Sequence, residues 1–168
     1  KLVELGKQAN VEVTVLDNLS EGHRSAVDKR AAFVQGDLAD RRVLSEVLAA
    51  GRFDAVMHFA AHAYVGESVS APDTYYRNNV GGSITLLSAI HDAGIEKFIF
   101  SGSCAVYGMP RVFPMAETHP QAPISPYGAS KQMVERILLD FEAAFGIRHV
   151  VLRYFNAAGA DPDGDIGE

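Results

Sequence analysis

The stretch Ser125-Pro126-Tyr127-Gly128-Ala129-Ser130-Lys131 opens the clearest helical pattern in the sequence. Apolar residues follow it at helical spacing: Met133, Val134, Ile137, Leu138 and Phe141. Tyr127 and Lys131 are four residues apart, so the pattern predicts that they lie one turn apart on one helix face. An ammonium group near a phenol favours the phenolate, which can accept a proton at neutral pH. The same spacing also occurs on ordinary amphipathic helices, so other parts of the chain must decide between a catalytic pair and two surface residues.

Five strand patterns alternate with helix patterns along the rest of the chain. The predicted strands cover residues 11–16, 32–36, 55–59, 97–101 and 148–153. The predicted helices end before Gly6, cover residues 40–50 and 72–93, and run from Tyr127 to Gly146. Apolar strands that alternate with helices indicate a parallel sheet covered on both faces. The predicted fold class is therefore α/β, with a doubly wound parallel sheet.

Polar residues follow the predicted strands at the points where they end. These residues are Asp17, Asp37, His58, the segment 101–103 and Asn156. In open parallel sheets, ligands bind beyond the carboxyl ends of the strands. We therefore expect a ligand site at this edge of the sheet.

The bulk properties of the chain exclude several classes of protein. Its 168 residues, 48% of them hydrophobic, correspond to one domain with a proper core. The net charge of −6 and the lack of a basic run argue against nucleic acid or an anionic membrane as a partner. No apolar stretch is long enough to span a bilayer, and residues 1–4 lack the pattern of a secretion signal. The single Cys104 excludes an intramolecular disulfide and fits a reducing compartment, so we expect a cytoplasmic location.

Asp17 occupies the position of a carboxylate that, in dinucleotide-binding folds, holds the ribose hydroxyls of adenosine. A carboxylate there favours NAD, because it would repel a 2′-phosphate; Asp17 could equally cap a turn. The glycine fingerprint of such folds should lie about 20 residues earlier, before Lys1. Gly81 and Gly82 cannot supply it, since they lie within a predicted helix. Residues 161–165 form a polar segment with nothing apolar beyond it, so we expect a fragment. We expect residues 1–168 to be a partial NAD-binding domain that lacks the first strand, the glycine loop and a C-terminal substrate domain.

Several stretches resemble the extended short-chain dehydrogenase/reductase family, whose NAD-dependent epimerases and dehydratases act on nucleotide-sugars. They are residues 16–19, 36–37, 58–61, 65–69, 75–80, 98–101, 105–108, 125–128 and 153–156. The run 153–160, followed by 164–168, is more specific and resembles the 4-epimerase branch. The resemblance implies a Rossmann-type domain and covers essentially the whole chain. Gly102 departs from it, because a second serine is common there, but Ser103 keeps its register.

The resemblance implies a catalytic set of Ser103, Tyr127 and Lys131. Tyr127 would remove the proton of the sugar 4-hydroxyl, Lys131 would stabilise the phenolate and hold the nicotinamide ribose, and Ser103 would hydrogen-bond the same hydroxyl. The other implied cofactor contacts are Asp17, Asn18, Asp37, Leu38, Phe59, Ala60, Ala61, Asn78 and Tyr154. The other implied substrate contacts are Phe155 and Asn156.

The implied activity is the interconversion of UDP-glucose and UDP-galactose, an isomerisation of carbohydrate (galactose) metabolism that passes through transient oxidation at C4 with bound NAD. A homodimer that pairs through the helix containing Asn78 and the helix after Tyr127 is also implied. The alternatives are another nucleotide-sugar epimerase, a 4,6-dehydratase, or a non-catalytic NAD-binding protein. A dehydratase should carry an acid pair near Ser103, which residues 103–106 lack, and a non-catalytic protein has no need of the Ser/Tyr/Lys set. Without the glycine loop and the C-terminal part, we expect the fragment alone to bind NAD poorly.

Two further polar features have simpler interpretations. His58 and His62 are four residues apart, but no third ligand follows at a suitable spacing, so we predict no metal site. Arg153 lies at a strand end beside the expected site, where it could contact a phosphate or form an internal ion pair.

Overall fold

The computed structural model describes residues 11–156, and its strands are short and parallel. They are β1 Thr14–Asp17, β2 Ala32–Gln35, β3 Val56–His58, β4 Lys97–Ser103 and β5 Arg148–Tyr154. β1 pairs with β2, while β4 lies between β3 and β5. The predicted α/β class with parallel strand pairing is confirmed. Among the described residues, these strands form a two-stranded and a three-stranded sheet.

Between residues 11 and 156, five α-helices connect and cover these strands. They are α1 Arg41–Ala50, α2 Val65–Ser70, α3 Pro72–Tyr75, α4 Ser83–Asp92 and α5 Pro126–Phe145. A π-helical segment, Tyr76–Gly82, joins α3 to α4, so residues 72–92 form the long helix that the sequence predicts. The predicted helix end before Gly6 lies outside the described residues. Within residues 11–156, no helix has the length and apolarity that crossing a lipid bilayer requires.

Local hydrogen bonds fix where the helices begin and end. As predicted, Asp40 caps α1: its Oδ1 accepts from the amides of Arg42 and Val43. At the start of α5, Ser125 Oγ accepts from the Gly128 amide at 3.1 Å, with Pro126 as the first helical residue. The helix ends at Gly146, whose φ of 74° is a left-handed conformation that glycine adopts readily. These caps place Tyr127 in the first turn of α5.

Strand β4 runs two residues further than the sequence pattern predicts. Its register with β5 pairs Ser103 with Tyr154, so the segment 101–103 belongs to the strand rather than to the loop after it. Gly102 permits this close approach, because a Cβ atom there would lie 2.8 Å from Cγ1 of Val151. The extra residues carry Ser103 to the carboxyl end of the sheet.

The hydrophobic core lies between α1, α4, β4 and α5. Its buried members are Leu44, Leu86, Leu87, Ala89, Ile90, Ile95, Phe98, Phe100, Val134, Leu138 and Ile147. Strand β5 is less well covered: Val150 is 54% exposed and Leu152 is 39% exposed. The expected cover on both faces of the sheet is therefore absent at one face of β5 within the described part of the chain.

Candidate active site

A cleft of about 170 Å³ opens beyond the carboxyl ends of β1, β2 and β3. The residues that line it are Leu16, Asp17, Asn18, Ser20, Glu21, Gly22, Gly36, Asp37, Leu38, Phe59, Ala60, Ala61, His62 and Asn78. Eight of the nine residues predicted only as cofactor contacts are among them; Tyr154 is not. Typical small-molecule sites measure roughly 300–1,000 Å³, so this cleft is smaller than a complete site of that kind.

Hydrogen bonds tie the ends of β1 and β2 together at this cleft. Asn18 donates from Nδ2 to Oδ2 of Asp37 at 2.8 Å, and its Oδ1 accepts from the Ser20 amide. Asp37 Oδ1 also accepts from the Ala39 amide at 2.8 Å. The bonds from Ala39 and Asn18 hold the pKa of Asp37 below its usual range, so this carboxyl is ionised at neutral pH. The cleft thus presents an ionised carboxylate, a group that can accept hydrogen bonds from hydroxyl groups.

Asp17 caps the turn after β1, which is one of the two roles that its sequence position allowed, and it also lines the cleft. Its Oδ1 accepts from the Leu19 amide at 2.7 Å, which stabilises the turn after β1 and the positive φ of 60° at Leu19. The same side chain lines the cleft, where Gly22 approaches it so closely that a Cβ atom would lie 3.3 Å from Oδ2. The side chain that stabilises the turn therefore also forms part of the cleft wall.

Lys131 is buried beneath the first turn of α5, with only 4% of its surface exposed. Its Nζ donates to the carbonyl oxygen of Ser101 at 2.9 Å and lies 4.9 Å from the ring centroid of Phe100. It lies 5.8 Å from the ring centroid of Tyr127, so the predicted pair shares one helix face. Burial lowers the pKa of Lys131 to about 8. The ammonium is therefore mostly charged at neutral pH and is anchored at the end of β4.

Ser103, the last residue of β4, lies near the same turn of α5. It is 8% exposed, and its Oγ accepts from the Ala105 amide at 3.2 Å, which leaves the hydroxyl proton for another acceptor. Gly128 packs directly on this segment, since a Cβ atom there would lie 2.6 Å from the carbonyl oxygen of Ala105. The structure thus brings the segment that begins at Ser103 against the turn that carries Tyr127 and Lys131.

The remaining predicted residues lie at the end of β5. Tyr154 pairs with Ser103 in the strand register and is 42% exposed. Phe155 is 59% exposed, and Asn156 is exposed and is the last described residue. None of the three lines the cleft, so they lie near the Ser103 side of the site rather than the Asp17 side.

Asn79 links the cleft to helix α5, and the sequence analysis did not identify it. Asn79 is 2% exposed. Its Nδ2 donates to the His62 carbonyl at 3.0 Å and to Ser130 Oγ at 3.1 Å. Its Oδ1 accepts from the His62 amide at 2.9 Å. Ser130 Oγ in turn donates to the carbonyl of Tyr127 at 2.7 Å. The sequence did offer one signal for Asn79: it is an amide on the buried face of a helix, next to the predicted Asn78.

His58 and Arg153 have internal partners. His58 is 4% exposed, with Nε2 2.8 Å from Ser83 Oγ; burial, assisted by the charge of Lys131, lowers its pKa to about 3. Arg153 donates to the Glu135 carboxylate at 2.7 Å and to Tyr107 Oη at 2.6 Å, which establishes the internal ion pair as its role here. Within the described part of the chain, no three potential ligands cluster in a way that could hold a metal ion.

A larger cavity, of about 510 Å³, lies beside α5 and β5. It is lined by Gln121, Gln132, Met133, Glu135, Arg136, Leu139, His149, Val151 and Arg153. None of the predicted site residues contributes to it. The candidate site is therefore the smaller cleft together with the carboxyl end of β4 and the first turns of α5.

Residues 1–167 match the model of the NAD dependent epimerase/dehydratase family. The chain is 51% identical over 160 residues to the UDP-glucose 4-epimerase of Lacticaseibacillus casei, covering 95% of this chain and 48% of that relative. It is 42% identical over 165 residues to UDP-arabinose 4-epimerase 1 of Arabidopsis thaliana, covering 93% of this chain and 39% of the relative.

The fold is also close to that of a solved structure, the UDP-glucose 4-epimerase of Brucella ovis in complex with NAD. The TM-score is 0.95 at 49% identity, over 99% of this chain and 51% of the other. The chain thus spans about half the length of the Lacticaseibacillus casei and Brucella ovis proteins. Family model, relatives and fold agree, and the chain belongs to the NAD dependent epimerase/dehydratase family.

Proposed function

We propose that the whole protein interconverts UDP-glucose and UDP-galactose, as an isomerase of galactose metabolism with NAD as a recycled cofactor. The observation that carries this proposal is the buried Lys131 ammonium, held by the Ser101 carbonyl 5.8 Å from the Tyr127 ring, at the end of β4 that carries Ser103. The family assignment and the names of the most similar relatives support the same reaction.

The cleft fits the adenosine end of NAD. Asp37 is ionised and Asp17 lies beside it, so the cleft suits ribose hydroxyls and disfavours an added 2′-phosphate. We assign the cofactor contacts to Asp17, Asn18, Asp37, Leu38, Phe59, Ala60, Ala61, Asn78, Tyr127, Lys131 and Tyr154. NAD, when bound, supplies a reversible acceptor for the hydrogen at C4 of the sugar.

The protein groups handle the proton of the 4-hydroxyl. Tyr127 as phenolate accepts this proton and later returns it, while Lys131, mostly charged at neutral pH, stabilises the phenolate. Ser103 donates its hydroxyl proton to the sugar oxygen, since its own Oγ already accepts from Ala105. Phe155 and Asn156 contact the nucleotide-sugar.

The proposal includes a cytoplasmic homodimer. Its support is the apolar exposure of the two helices concerned: Ile84 on α4 is 42% exposed, and Met133 and Leu139 on α5 are 45% and 55% exposed. Helices α4 and α5 also pack against each other, so these side chains belong to neighbouring helices.

The test is turnover of UDP-galactose by the full-length protein, followed by NMR without added NADH, beside a Tyr127→Phe variant. We expect UDP-glucose to form and the variant to lose at least 100-fold in kcat, since a missing acid–base group typically costs 10²–10⁴-fold. A 4-keto-6-deoxy product would move the assignment to a dehydratase. No conversion of either UDP-hexose would reject the proposed reaction.

A pentose 4-epimerase is the second candidate, because the Arabidopsis relative carries that name at 42% identity. The same assay with UDP-arabinose distinguishes the two. A kcat/KM for UDP-arabinose well above that for UDP-galactose would favour the pentose reaction.

A further inference from the structure

Tyr75 lies behind Tyr127 and belongs to none of the predicted site groups. It is the last residue of α3, where the long helix becomes π-helical, and it is 0% exposed. Its ring centroid lies 6.5 Å from that of Tyr127, with the two planes at 87°. On another side it meets the ring of His62, a cleft residue, at 5.6 Å. The buried tyrosine therefore touches both halves of the candidate site.

The hydroxyl of Tyr75 is anchored on helix α2 and the residue before it. Oη lies 2.7 Å from the carbonyl oxygen of Tyr64 and 2.7 Å from Oε2 of Glu67, both of which are acceptors. Burial raises the pKa of Tyr75 to about 12, and the Glu67 carboxylate acts in the same direction. The phenol therefore remains a protonated donor near neutral pH, where it cannot replace Tyr127 as a base.

Two groups lie next to the Tyr127 ring. Lys131 Nζ lies 5.8 Å from its centroid, and the Tyr75 ring meets it in the perpendicular arrangement that aromatic pairs favour. Rotation about the Cβ–Cγ bond of a tyrosine is otherwise soft, because such terminal torsions have broad minima. A fixed neighbouring ring restricts this rotation and so restricts the directions from which the phenol can be reached.

We propose that Tyr75 is a positioning residue for Tyr127: its ring sets the plane of the Tyr127 ring, and its hydroxyl, which donates its one proton to the Tyr64 carbonyl or the Glu67 carboxylate, anchors the Tyr75 ring. This inference rests on the proposed function in one respect, the role of Tyr127 as the acid–base group. Proton transfer depends steeply on geometry, so a mobile Tyr127 ring lowers the rate of the chemical step more than it weakens substrate binding.

The test compares three variants of the full-length protein. Tyr75→Leu removes the aromatic partner, Tyr75→Phe keeps the ring but removes the anchor, and Phe141→Leu is the control. Phe141 packs against the core from α5, fourteen residues and about 21 Å along the helix from Tyr127. The control variant therefore loses aromatic packing in α5, the helix that carries Tyr127, without changing a residue of the candidate site.

For Tyr75→Leu we expect kcat to fall at least tenfold with KM changed less than twofold, and the pH profile of kcat to shift. Tyr75→Phe, which keeps the ring but loses its anchor, should have a kcat between those of wild type and Tyr75→Leu. Phe141→Leu should lower the melting temperature without changing kcat or the profile. If Tyr75→Leu behaves like Phe141→Leu, Tyr75 is only a core residue and the inference fails.

A second readout needs no turnover. In protein labelled with ¹³C-tyrosine, Tyr75→Leu should speed the ring flips of Tyr127 at least tenfold relative to wild type and to Phe141→Leu. Unchanged flips in Tyr75→Leu would overturn the inference whether or not the wild-type protein converts UDP-galactose. Absent conversion by the wild type, by contrast, rejects only the proposed reaction.

Discussion

Among single residues, Arg153 shows how a cation at a strand end is used for structure. Its guanidinium donates from Nε and Nη2 to the Glu135 carboxylate and from Nη1 to Tyr107 Oη and the Glu117 carbonyl. Glu135 is 7% exposed and also accepts from Gln121. The bonds to Glu135 and Tyr107 raise the pKa of Arg153 further above its usual value. These contacts join β5, α5 and the loop after the Cys104–Tyr107 turn, and they occupy the fork that a phosphate would need.

Replacing Arg153 by lysine should destabilise the fold, because one ammonium cannot reach all of these acceptors. We expect a loss of about 1–3 kcal/mol in the free energy of unfolding, the range for buried groups left unpaired. Urea unfolding measures it. The matched control is Arg136→Lys, since Arg136 pairs with Asp140 on the exposed face of α5 and such pairs contribute at most about 1 kcal/mol. Equal losses in the two variants would contradict the structural role of Arg153.

His58 should make the fold sensitive to acid. Its pKa is about 3 when buried and 6.5 in an unfolded chain, so between these values the unfolded chain binds a proton that the folded one does not. The free energy of unfolding should therefore fall as the pH drops from 6.5 towards 3, by up to about 1.4 kcal/mol per pH unit. His58→Gln should flatten this dependence in pH-resolved denaturation, while His23→Gln, at an exposed position, should not. An unchanged slope in His58→Gln would show that His58 does not cause it.

Among the elements, α5 owes its position to a glycine in its first turn. Alanine in place of glycine normally stabilises a helix by up to about 1 kcal/mol. At Gly128 the new Cβ would lie 2.6 Å from the Ala105 carbonyl oxygen, and backbone atoms cannot move aside as a flexible side chain can. The contact must therefore push α5 away from the segment that follows Ser103.

Gly128→Ala should consequently lower both stability and activity. We expect a loss of about 1–3 kcal/mol, as for overpacked cores, together with a lower kcat from the displaced Tyr127. The control is Gly66→Ala in α2, where no atom lies within 4 Å of the added Cβ, and it should be neutral or stabilising. Thermal unfolding and the UDP-galactose assay measure the two effects. A Gly128→Ala protein as stable and active as wild type would remove the steric argument.

The elements themselves were predictable where local chemistry decides them. The strand ends at Asp17 and His58, the cap at Asp40 and the long helix at 72–92 all follow from patterning and capping. Helix α2 was not predictable, because Gly66 and the β-branched Val65 and Val69 are poor helix formers. Its support comes from outside the helix, through the bond between Glu67 and Tyr75 of the next helix. The π-helical segment was also missed, since periodic apolar spacing does not distinguish it from α-helix.

The candidate site divides in the same way. Asp17, Asp37 and Ser103 were expected at one edge because parallel strands present their carboxyl ends there. Helical spacing placed Tyr127 and Lys131 on one helix face, but only the family resemblance implied that they form a catalytic pair. Tyr75 contacts Tyr127, which is 52 residues further along the chain. Asn79 contacts Ser130, which is 51 residues further along the chain. No local pattern reports such contacts, so the supporting residues of the site required the fold.

For the molecule as a whole, cavity size and site chemistry point to different places. The cavity of about 510 Å³ beside α5 and β5 is the larger, yet the ionised Asp37 and the polar strand ends belong to the cleft of about 170 Å³. The larger cavity adjoins β5, whose Val150 and Leu152 are left exposed. In a chain that spans about half the length of a relative, the chemistry of the lining residues is therefore a better guide to the site than the volume of a cavity.

The exposed apolar side chains on α4 and α5 give the last prediction, on assembly. In a twofold dimer every interface residue is used twice, so a charge at Leu139 would remove two buried leucines from one contact. Burying a leucine contributes about 1.5–3 kcal/mol, and Leu139→Glu should thus weaken association by roughly 100-fold or more. Sedimentation of the full-length protein measures this change. Val69→Glu is the control, since Val69 is 65% exposed on α2, outside the two helices. A monomeric wild type, or an equal loss in both variants, would rule out pairing through α4 and α5.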